Sequence, residues 1–169
     1  MDSGLRSCTV ASPLGELLLV ASARGLVQVF LPSSKGVPAS SEEPHDPGAY
    51  CLPEARQQLH DFFSGQLTTF DLPLDEKGSP FQLAVWAALR EIPYATTCSY
   101  GEIAARVGAD PRTSSRAVGL ANGSNPIAII TPCHRVIGAG GDLTGYAGGL
   151  HAKRWLLDHE ARTIGAVLF

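Results

Sequence analysis

The sequence predicts an α+β fold. A three-stranded antiparallel sheet and a helix form the N-terminal part, and the C-terminal part is mainly helical. Residues 7–31 contain three apolar runs separated by the turn sequences SPLG and SARG, which is typical of a β-meander. From residue 53 onward, apolar residues recur three or four positions apart in segments that open with helix caps. The acid-rich stretch 69–78 separates the two regions, so we predict domains at 1–78 and 79–169.

Length and composition are those of an ordinary globular protein of 169 residues, long enough to bury a real core. No apolar stretch is long enough to span a bilayer, and the N-terminus lacks a secretory pattern, so we expect a cytoplasmic protein without membrane partners, nucleoid-associated if it is bacterial. Residues 1–79 carry 5 basic and 10 acidic side chains, and residues 80–169 carry 8 and 6. A polyanion would therefore bind the C-terminal half.

In the N-terminal half, the meander is followed by a loop at 32–50 that is rich in Pro, Ser, Gly and acidic residues. A helix is predicted over residues 53–64, because Pro53 suits the first turn and Gly65 can end the helix. Its apolar face comprises Leu52, Ala55, Leu59, Phe62 and Phe63.

The C-terminal half opens with Ser79-Pro80-Phe81-Gln82, a capping box with proline at the first helical position. This helix should stop at Pro93. A second capping box, Ser99 to Glu102, starts a short helix that ends at Gly108 and places Ile103, Ala104 and Val107 inward. The apolar stripe of the first of these helices comprises Phe81, Val85, Ala88, Leu89 and Ile92.

A third helix is predicted from about Thr113 to Ala121, with Ala117, Leu120 and Ala121 toward the core. Two short helices joined by a tight, glycine-containing turn form the helix-turn-helix pattern, although an ordinary helix pair has the same pattern. Arg116 lies just off the core stripe. At that position the spacing alone does not distinguish an arginine in solvent from one that contacts a ligand.

An apolar run, Ile127 to Ile130, ends at Thr131-Pro132, and Cys133 follows at once. Proline disfavours helix before it, so the run predicts a buried strand or extended segment that delivers Cys133 to the end of a packed element. The other cysteines, Cys8, Cys51 and Cys98, are far apart in sequence and form no CxxC pair. We therefore expect free thiols, with neither a zinc site nor disulfides.

Cys133 can act as a nucleophile only if a base, a positive charge or helix-end amides activate its thiol. His134 follows it directly, and Glu160 ends the inward stripe Ala152, Leu156, Glu160 of a helix predicted over 150–161. These three residues permit a Cys-His-acid relay. Residue types alone favour an inert buried cysteine and a Glu160 in water.

The loop VIGAGGDLTGYAGG after Arg135 is rich in glycine and can bring main-chain amides close to a ligand. A hairpin with glycine turns has the same composition. The loop lacks the pattern of a phosphate-binding P-loop.

The segment PCHRVIGAGGDLTGYAGGLHAKRWLLDHE closely resembles the active-site region of the O6-alkylguanine-DNA alkyltransferases, also called methylated-DNA–protein-cysteine methyltransferases. The PCHR block, the upstream helix-turn-helix and the downstream GYxGG loop occur together at separations similar to those of the family. The resemblance runs from about Ser79 to the C-terminus. It extends more weakly to SPLGELLLVASARGLVQVFL and LPEARQQLHDFFSGQ, which look like the ribonuclease-H-like N-terminal domain of that family.

This resemblance implies direct DNA repair, in which an alkyl group passes irreversibly from O6-alkylguanine, and from O4-alkylthymine, to Cys133. Each molecule would act once, as a monomer, on double-stranded DNA bound through the minor groove, with cooperative assembly left open. The damaged base would be flipped into the active-site pocket. No cofactor and no metal are implied, because Cys8 alone does not match the structural zinc site of some relatives.

By resemblance, Cys133 is the alkyl acceptor, His134 deprotonates it through a bound water, and Glu160 orients the imidazole. Asn125 braces the turn before the cysteine segment. Tyr100 helps to rotate the target phosphate and hydrogen-bonds the flipped base.

Arg116 matches the finger that enters the duplex where the flipped nucleotide was, and Val136 supplies a main-chain carbonyl to the exocyclic amine of guanine. The other residues predicted to bind DNA are Thr113, Ser115, Ala117 and Arg135. The loop expected to close over the base contains Tyr146, Ala147 and Gly148.

Two positions depart from the family pattern. Ala147 stands where several relatives carry serine, and Ala95 stands where glycine is frequent; we expect Ala95 to be tolerated if the turn does not need a positive φ. Three other functions remain open at this stage: a non-catalytic binder of alkylated bases, a cysteine hydrolase using Cys133, and a sequence-specific regulator.

Overall fold

The computed structural model of the chain describes residues 4–32, 43–143, 145–146 and 148–165. It has the predicted α+β fold, with a three-stranded antiparallel sheet and α-helices. The chain divides into two compact units, Met1–Lys77 and Gly78–Phe169. Among the described residues, no helix combines the length and the apolar character needed to cross a membrane.

The N-terminal unit contains the predicted meander, in which the middle strand pairs with both neighbours. Gly25 opens the third strand with φ +151°, and a Cβ there would lie 2.4 Å from the carbonyl oxygen of Pro73. This close approach allows residue 73 to accept a hydrogen bond from the amide of Leu26. The strands are β1 Arg6–Ser12, β2 Gly15–Ser22 and β3 Gly25–Phe30.

The helix of this unit, α1, spans Leu52–Phe63 and buries Leu52, Ala55, Leu59 and Phe62, as its spacing predicts. Within the predicted loop 32–50, residues 33–42 lie outside the described residues. The end of that loop is not simply a surface segment, because it runs beside β1. Ser7 N donates to Pro44 O and Asp46 N donates to Ser7 O, which covers part of an otherwise open sheet edge.

The C-terminal unit is mainly helical, with both hydrogen bonds of the predicted capping box at Ser79 present. Phe81 is exposed, contrary to prediction, because the buried face of the first helix is rotated toward Trp86, whose indole N–H donates to Ala121 O. The elements are α2 Pro80–Leu89, β4 Cys98–Ser99, α3 Tyr100–Arg106, α4 Ser115–Gly123, one 3₁₀ turn Cys133–Arg135, β5 Val136–Ile137 and α5 Leu150–Thr163.

The buried face of helix α4 is rotated about the helix axis by about one residue relative to the prediction. Val118, Ala121 and Asn122 are buried, whereas Ala117 and Leu120 face outward. One residue corresponds to about 100° around a helix, so the predicted inward face was wrong by that amount. The buried Asn122 explains the difference, because its Nδ2 donates to Cys133 O and turns this side of α4 inward.

The apolar run Ile127 to Ile130 is buried as predicted but is a turn, so the prediction of a strand was wrong. Thr131 N donates to Ile127 O and Ile130 N donates to Ala128 O. Ile129 has φ +74°, which no strand residue adopts. Local hydrogen bonds therefore satisfy this backbone in place of a ladder.

Candidate functional site

Asn125 holds the segment that leads into Cys133. Its Nδ2 donates to Thr131 O at 2.8 Å, and its Oδ1 accepts from Ile127 N at 3.0 Å. The side chain thus joins both ends of the buried turn. Pro132 has the non-helical backbone angles φ −82° and ψ 65°, and the 3₁₀ turn begins after it, at Cys133.

The Cys133 side chain lies in the core of the C-terminal unit and is 5% exposed. Burial raises the pKa of its thiol. Three neighbours act in the opposite direction: the Asn125 side chain, the charge of Lys153 and the Tyr146 hydroxyl all lower that pKa. These are the influences that make a cysteine nucleophilic.

His134 and Glu160 are fully buried, and His134 Nε2 lies 2.7 Å from Glu160 Oε2. Because Glu160 is ionised and can only accept, Nε2 carries the proton and Nδ1 holds the free lone pair. Among the described residues, no protein group bonds to Nδ1. Burial lowers the pKa of His134, although Glu160 opposes this shift, so the imidazole is a neutral base.

Three donors besides His134 hold the Glu160 carboxylate. Arg135 binds it through Nε, 2.9 Å from Oε1, and through Nη2, 2.9 Å from Oε2. The amide of Ala95 donates to Oε1 at 3.0 Å. Burial opposes ionisation, but the bonds to His134 and Arg135 outweigh it and bring the pKa of Glu160 to about 2.

Arg135 is therefore not placed as the predicted DNA contact. It is 6% exposed, and its Nη1 donates to Ile92 O while the other nitrogens serve Glu160. Its guanidinium also lies 5.5 Å from the ring centre of Tyr94. In this buried position its guanidinium helps to hold Glu160 ionised.

Ala95 adopts φ +63°, so the turn does need a positive φ, and the condition under which we expected alanine to be tolerated is not met. The left-handed region disfavours a side chain, which explains why glycine suits this position. The strained backbone directs the amide of Ala95 to Glu160.

Lys153 is a buried cation of the site that the sequence analysis missed. Its Nζ donates to Val136 O, and burial lowers its pKa while the nearby Cys133 opposes that shift. The helical spacing contained the signal, because Lys153, Leu156 and Glu160 recur at i, i+3 and i+7 on the inward stripe.

Two of the predicted pocket residues lie near this lysine and Cys133: Val136 O accepts from Lys153, and the pKa values of Tyr146 and Cys133 influence each other. Val136 lies beside β4, pairing with Cys98 just before Tyr100 begins α3. Burial, and then Cys133, raises the pKa of Tyr146 far above its usual range, so its hydroxyl is a proton donor. Gly148 is buried, and Ala147 lies outside the described residues.

The residues predicted to meet DNA lie on or near the N-terminal end of α4. Thr113, Arg116 and Ala117 are exposed, while Ser115 is half-buried and donates its hydroxyl to Pro111 O. The ring of Tyr100 lies against the same helix, since a Cβ on its Gly119 would be 3.8 Å from Tyr100 Cε1.

The other three cysteines are also buried thiols, and burial is the largest influence on the pKa of each. Burial raises the pKa of Cys8 to about 11 and also raises those of Cys51 and Cys98. All four cysteines are free, and no group of three metal-ligating side chains occurs in the described ranges.

Comparison with known proteins identifies the family. The model for the 6-O-methylguanine DNA methyltransferase, DNA binding domain, matches residues 80–162, and that for its ribonuclease-like domain matches residues 5–76. The chain therefore belongs to the 6-O-methylguanine DNA methyltransferase family.

Individual relatives agree over nearly the whole chain. A methylated-DNA–protein-cysteine methyltransferase of Mycobacterium tuberculosis is 50% identical over 152 residues, 90% of each chain. One of Methanosarcina acetivorans is 51% identical, over 88% of this chain and 94% of its own. The crystal structure of M. tuberculosis OGT in complex with DNA has a TM-score of 0.86 and 48% identity, covering 94% of both chains.

Proposed function

We propose that this protein repairs DNA by moving the alkyl group of O6-alkylguanine onto Cys133, one group per molecule. The observation that carries the proposal is the His134–Glu160 pair, in which the histidine adjoins Cys133 in the chain and its Nε2 lies 2.7 Å from an ionised carboxylate. That arrangement leaves a neutral basic nitrogen at the position in the chain next to the thiol. Membership of the family and the methyltransferase names of its relatives support the same reaction.

The reaction we propose begins when His134 takes the proton of the Cys133 thiol through a water. The thiolate attacks the alkyl carbon in line, forming a carbon–sulfur bond as the bond to guanine O6 breaks. The electron pair stays on O6, and a proton from Tyr100, or a contact that neutralises the charge, stabilises the departing base. The thioether product has no route back to a thiol, so the protein is consumed.

Because Cys133 is buried, a base that has left the duplex would have to enter this unit before it could react. O6 of guanine lies inside the base stack, so the nucleotide must be extruded before the sulfur can reach it. The Tyr146 hydroxyl lies close enough to Cys133 to affect the pKa of the thiol, so this side chain would have to make room for the base. Arg116, exposed on α4, would occupy the gap left in the duplex.

We further propose that the protein binds as a monomer through the minor groove and also accepts O4-alkylthymine. The small residues Ala117 and Gly119 support close approach of α4 to a narrow groove. The division near residues 78 and 79 into an N-terminal ribonuclease-H-like domain and a DNA-binding domain is supported by the separate family matches to 5–76 and 80–162.

Transfer of a labelled methyl group from O6-methylguanine DNA tests the reaction. Intact-mass measurement should show one added methyl group, located on Cys133 after proteolysis, and Cys133→Ala should gain none. A protein that binds this DNA without a mass increase would be a lesion binder, and label on Cys133→Ala would assign the acceptor elsewhere.

Arg116→Ala tests base flipping, with Arg112→Ala as a matched exposed arginine just before α4. Arg116→Ala should slow repair of duplex DNA much more than reaction with free O6-methylguanine, which needs no flipping. Equal losses on both substrates, or the same loss in Arg112→Ala, would contradict the assigned role.

A further inference from the structure

Leu120 is 70% exposed, more than any other large hydrophobic side chain on the described part of the chain. It lies in the middle of α4, the second helix of the helix-turn-helix. A leucine there contributes nothing to the core, because Val118, Ala121 and Asn122 occupy the buried side of the helix.

The rotation of α4 places Leu120 beside Arg116. The buried residues Val118, Ala121 and Asn122 centre on one side of the helix, and at about 100° per residue the opposite side carries Arg116 and Leu120. These two residues are separated by four positions, so their side chains lie next to each other one turn apart. The outermost ridge of α4 is thus a cation followed by an apolar side chain.

Small residues lie beside this ridge. Ala117 and Gly123 are exposed beside it, and a Cβ on Gly123 would meet no atom within 4 Å. Leu120 therefore projects beyond the two small residues beside it. If α4 enters a groove with Arg116 leading, Leu120 must enter with it.

We propose that Leu120 packs against the deoxyribose walls of the minor groove next to the nucleotide that leaves the stack. This inference rests on the proposed function, since it takes Arg116 as the residue that enters the duplex. The minor groove is about 6 Å wide, and its walls present the carbon–hydrogen surfaces of the sugars, which suit an aliphatic side chain. Minor-groove proteins commonly combine basic residues with an apolar wedge of this kind.

Loss of an apolar contact with DNA and loss of a phosphate contact differ in their effect on the salt dependence of binding. Loss of a phosphate contact lowers the dependence of log K on log salt by about one, whereas loss of an apolar contact weakens binding without changing that slope. Leu120→Ala should bind duplex DNA roughly tenfold more weakly, equivalent to about 1.4 kcal/mol. Its salt slope should match that of the parent protein.

The experiment measures binding of a fluorescent duplex carrying O6-methylguanine by anisotropy across a salt series, in a Cys133→Ala background that prevents reaction. Leu83→Ala is the matched control, because Leu83 is 37% exposed and lies on α2. Arg116→Ala provides the reference for a change in slope. Thermal unfolding should be unchanged in Leu120→Ala, since the side chain is exposed and alanine favours helix.

In the otherwise unaltered protein, Leu120→Ala should slow repair of dilute duplex DNA and leave the reaction with free O6-methylguanine unchanged. Binding within twofold of the parent, an equal loss in Leu83→Ala, or a lowered salt slope would overturn the proposal. A slower reaction with the free base would overturn it as well, because the leucine would then act on the thiol site. Failure of Cys133 to gain a methyl group would instead refute the proposed function, independently of these binding data.

Discussion

Glu160→Gln tests the buried charge cluster most directly. The glutamine has nearly the same shape but no charge, and one carboxylate oxygen is replaced by an NH₂ group that can only donate. This donor would face either His134 or Arg135, both of which donate to Glu160. The substitution therefore leaves a buried guanidinium without its counter-ion.

The magnitude follows from the pKa of Glu160, which falls from 4.5 in an unfolded chain to about 2 in the folded protein. A difference of this size corresponds to about 3 kcal/mol. Because the folded pKa is the lower one, this stabilisation is present above pH 4.5 and is lost as the pH falls from 4.5 to about 2. Removing one partner of a buried ion pair has an effect of similar size, about 3–5 kcal/mol.

Urea unfolding at pH 7 should show a free energy of unfolding lower by about 3 kcal/mol in Glu160→Gln. Repeated between pH 4.5 and 2, the stability of the variant should fall less steeply than that of the parent protein. Glu91→Gln is the control, because Glu91 pairs with Arg106 at 3.6 Å on an exposed surface, where an ion pair contributes at most about 1 kcal/mol.

A loss below 1 kcal/mol, or acid sensitivity equal to that of the parent, would refute the reasoning. Alkyl transfer should also be slower in Glu160→Gln at pH 7, because the imidazole is no longer held in one tautomer. A variant that is destabilised and yet reacts at the parental rate would show that the carboxylate stabilises the fold without orienting His134.

Three further substitutions probe the supports of the site. Ala95→Gly relieves a positive φ and should raise the free energy of unfolding by up to about 1 kcal/mol in thermal denaturation, with alkyl transfer unchanged. Asn125→Ala removes two hydrogen bonds and should lower stability by about 2 kcal/mol while slowing transfer; normal urea unfolding would exclude the bracing role. Lys153→Met removes a charge that lowers the pKa of Cys133, so the pH–rate profile of transfer should move to higher pH, and an unmoved profile would count against this effect.

The spacing of apolar residues in the sequence was sufficient to predict the strands and helices of the fold. The alternating runs of residues 7–31 became three strands, and the helices of both units start within about two residues of their predicted positions. Such patterns report which side of an element is apolar, and that is what packing against a core selects. They also placed Glu160 on an inward stripe before any partner was known.

The errors arose where a polar side chain decided the local structure. Asn125 closes a turn over Ile127 to Ile130, so an apolar run that satisfies the strand pattern becomes a buried turn. Asn122 occupies an inward position of α4 and rotates the helix by about one residue. Apolar periodicity carries no information about these hydrogen bonds, because each joins an asparagine side chain to a main-chain group further along the chain.

The same limit explains Arg135 and Lys153. Each is a charged residue that a rule based on burial assigns to the surface, and each is buried because its partner is also buried. The partner of Arg135 is Glu160, 25 residues away, and the partner of Lys153 is Val136 O, 17 residues away. Only the folded chain brings these pairs together, so neither could be assigned from local sequence.

Burial shifts the pKa values of Cys133 and His134 in opposite directions and so keeps both of these side chains uncharged at rest. It raises the pKa of the Cys133 thiol and lowers that of His134, which keeps the proton on sulfur at neutral pH. The thiolate is the nucleophile and also the form that oxidants attack, so a site with little thiolate protects an acceptor that works only once. Asn125, Lys153 and the Tyr146 hydroxyl are then the groups that limit this penalty, because all three stabilise negative charge on the sulfur when the proton leaves. The arrangement therefore favours a sulfur that is unreactive at rest and whose deprotonation is supported from within the site.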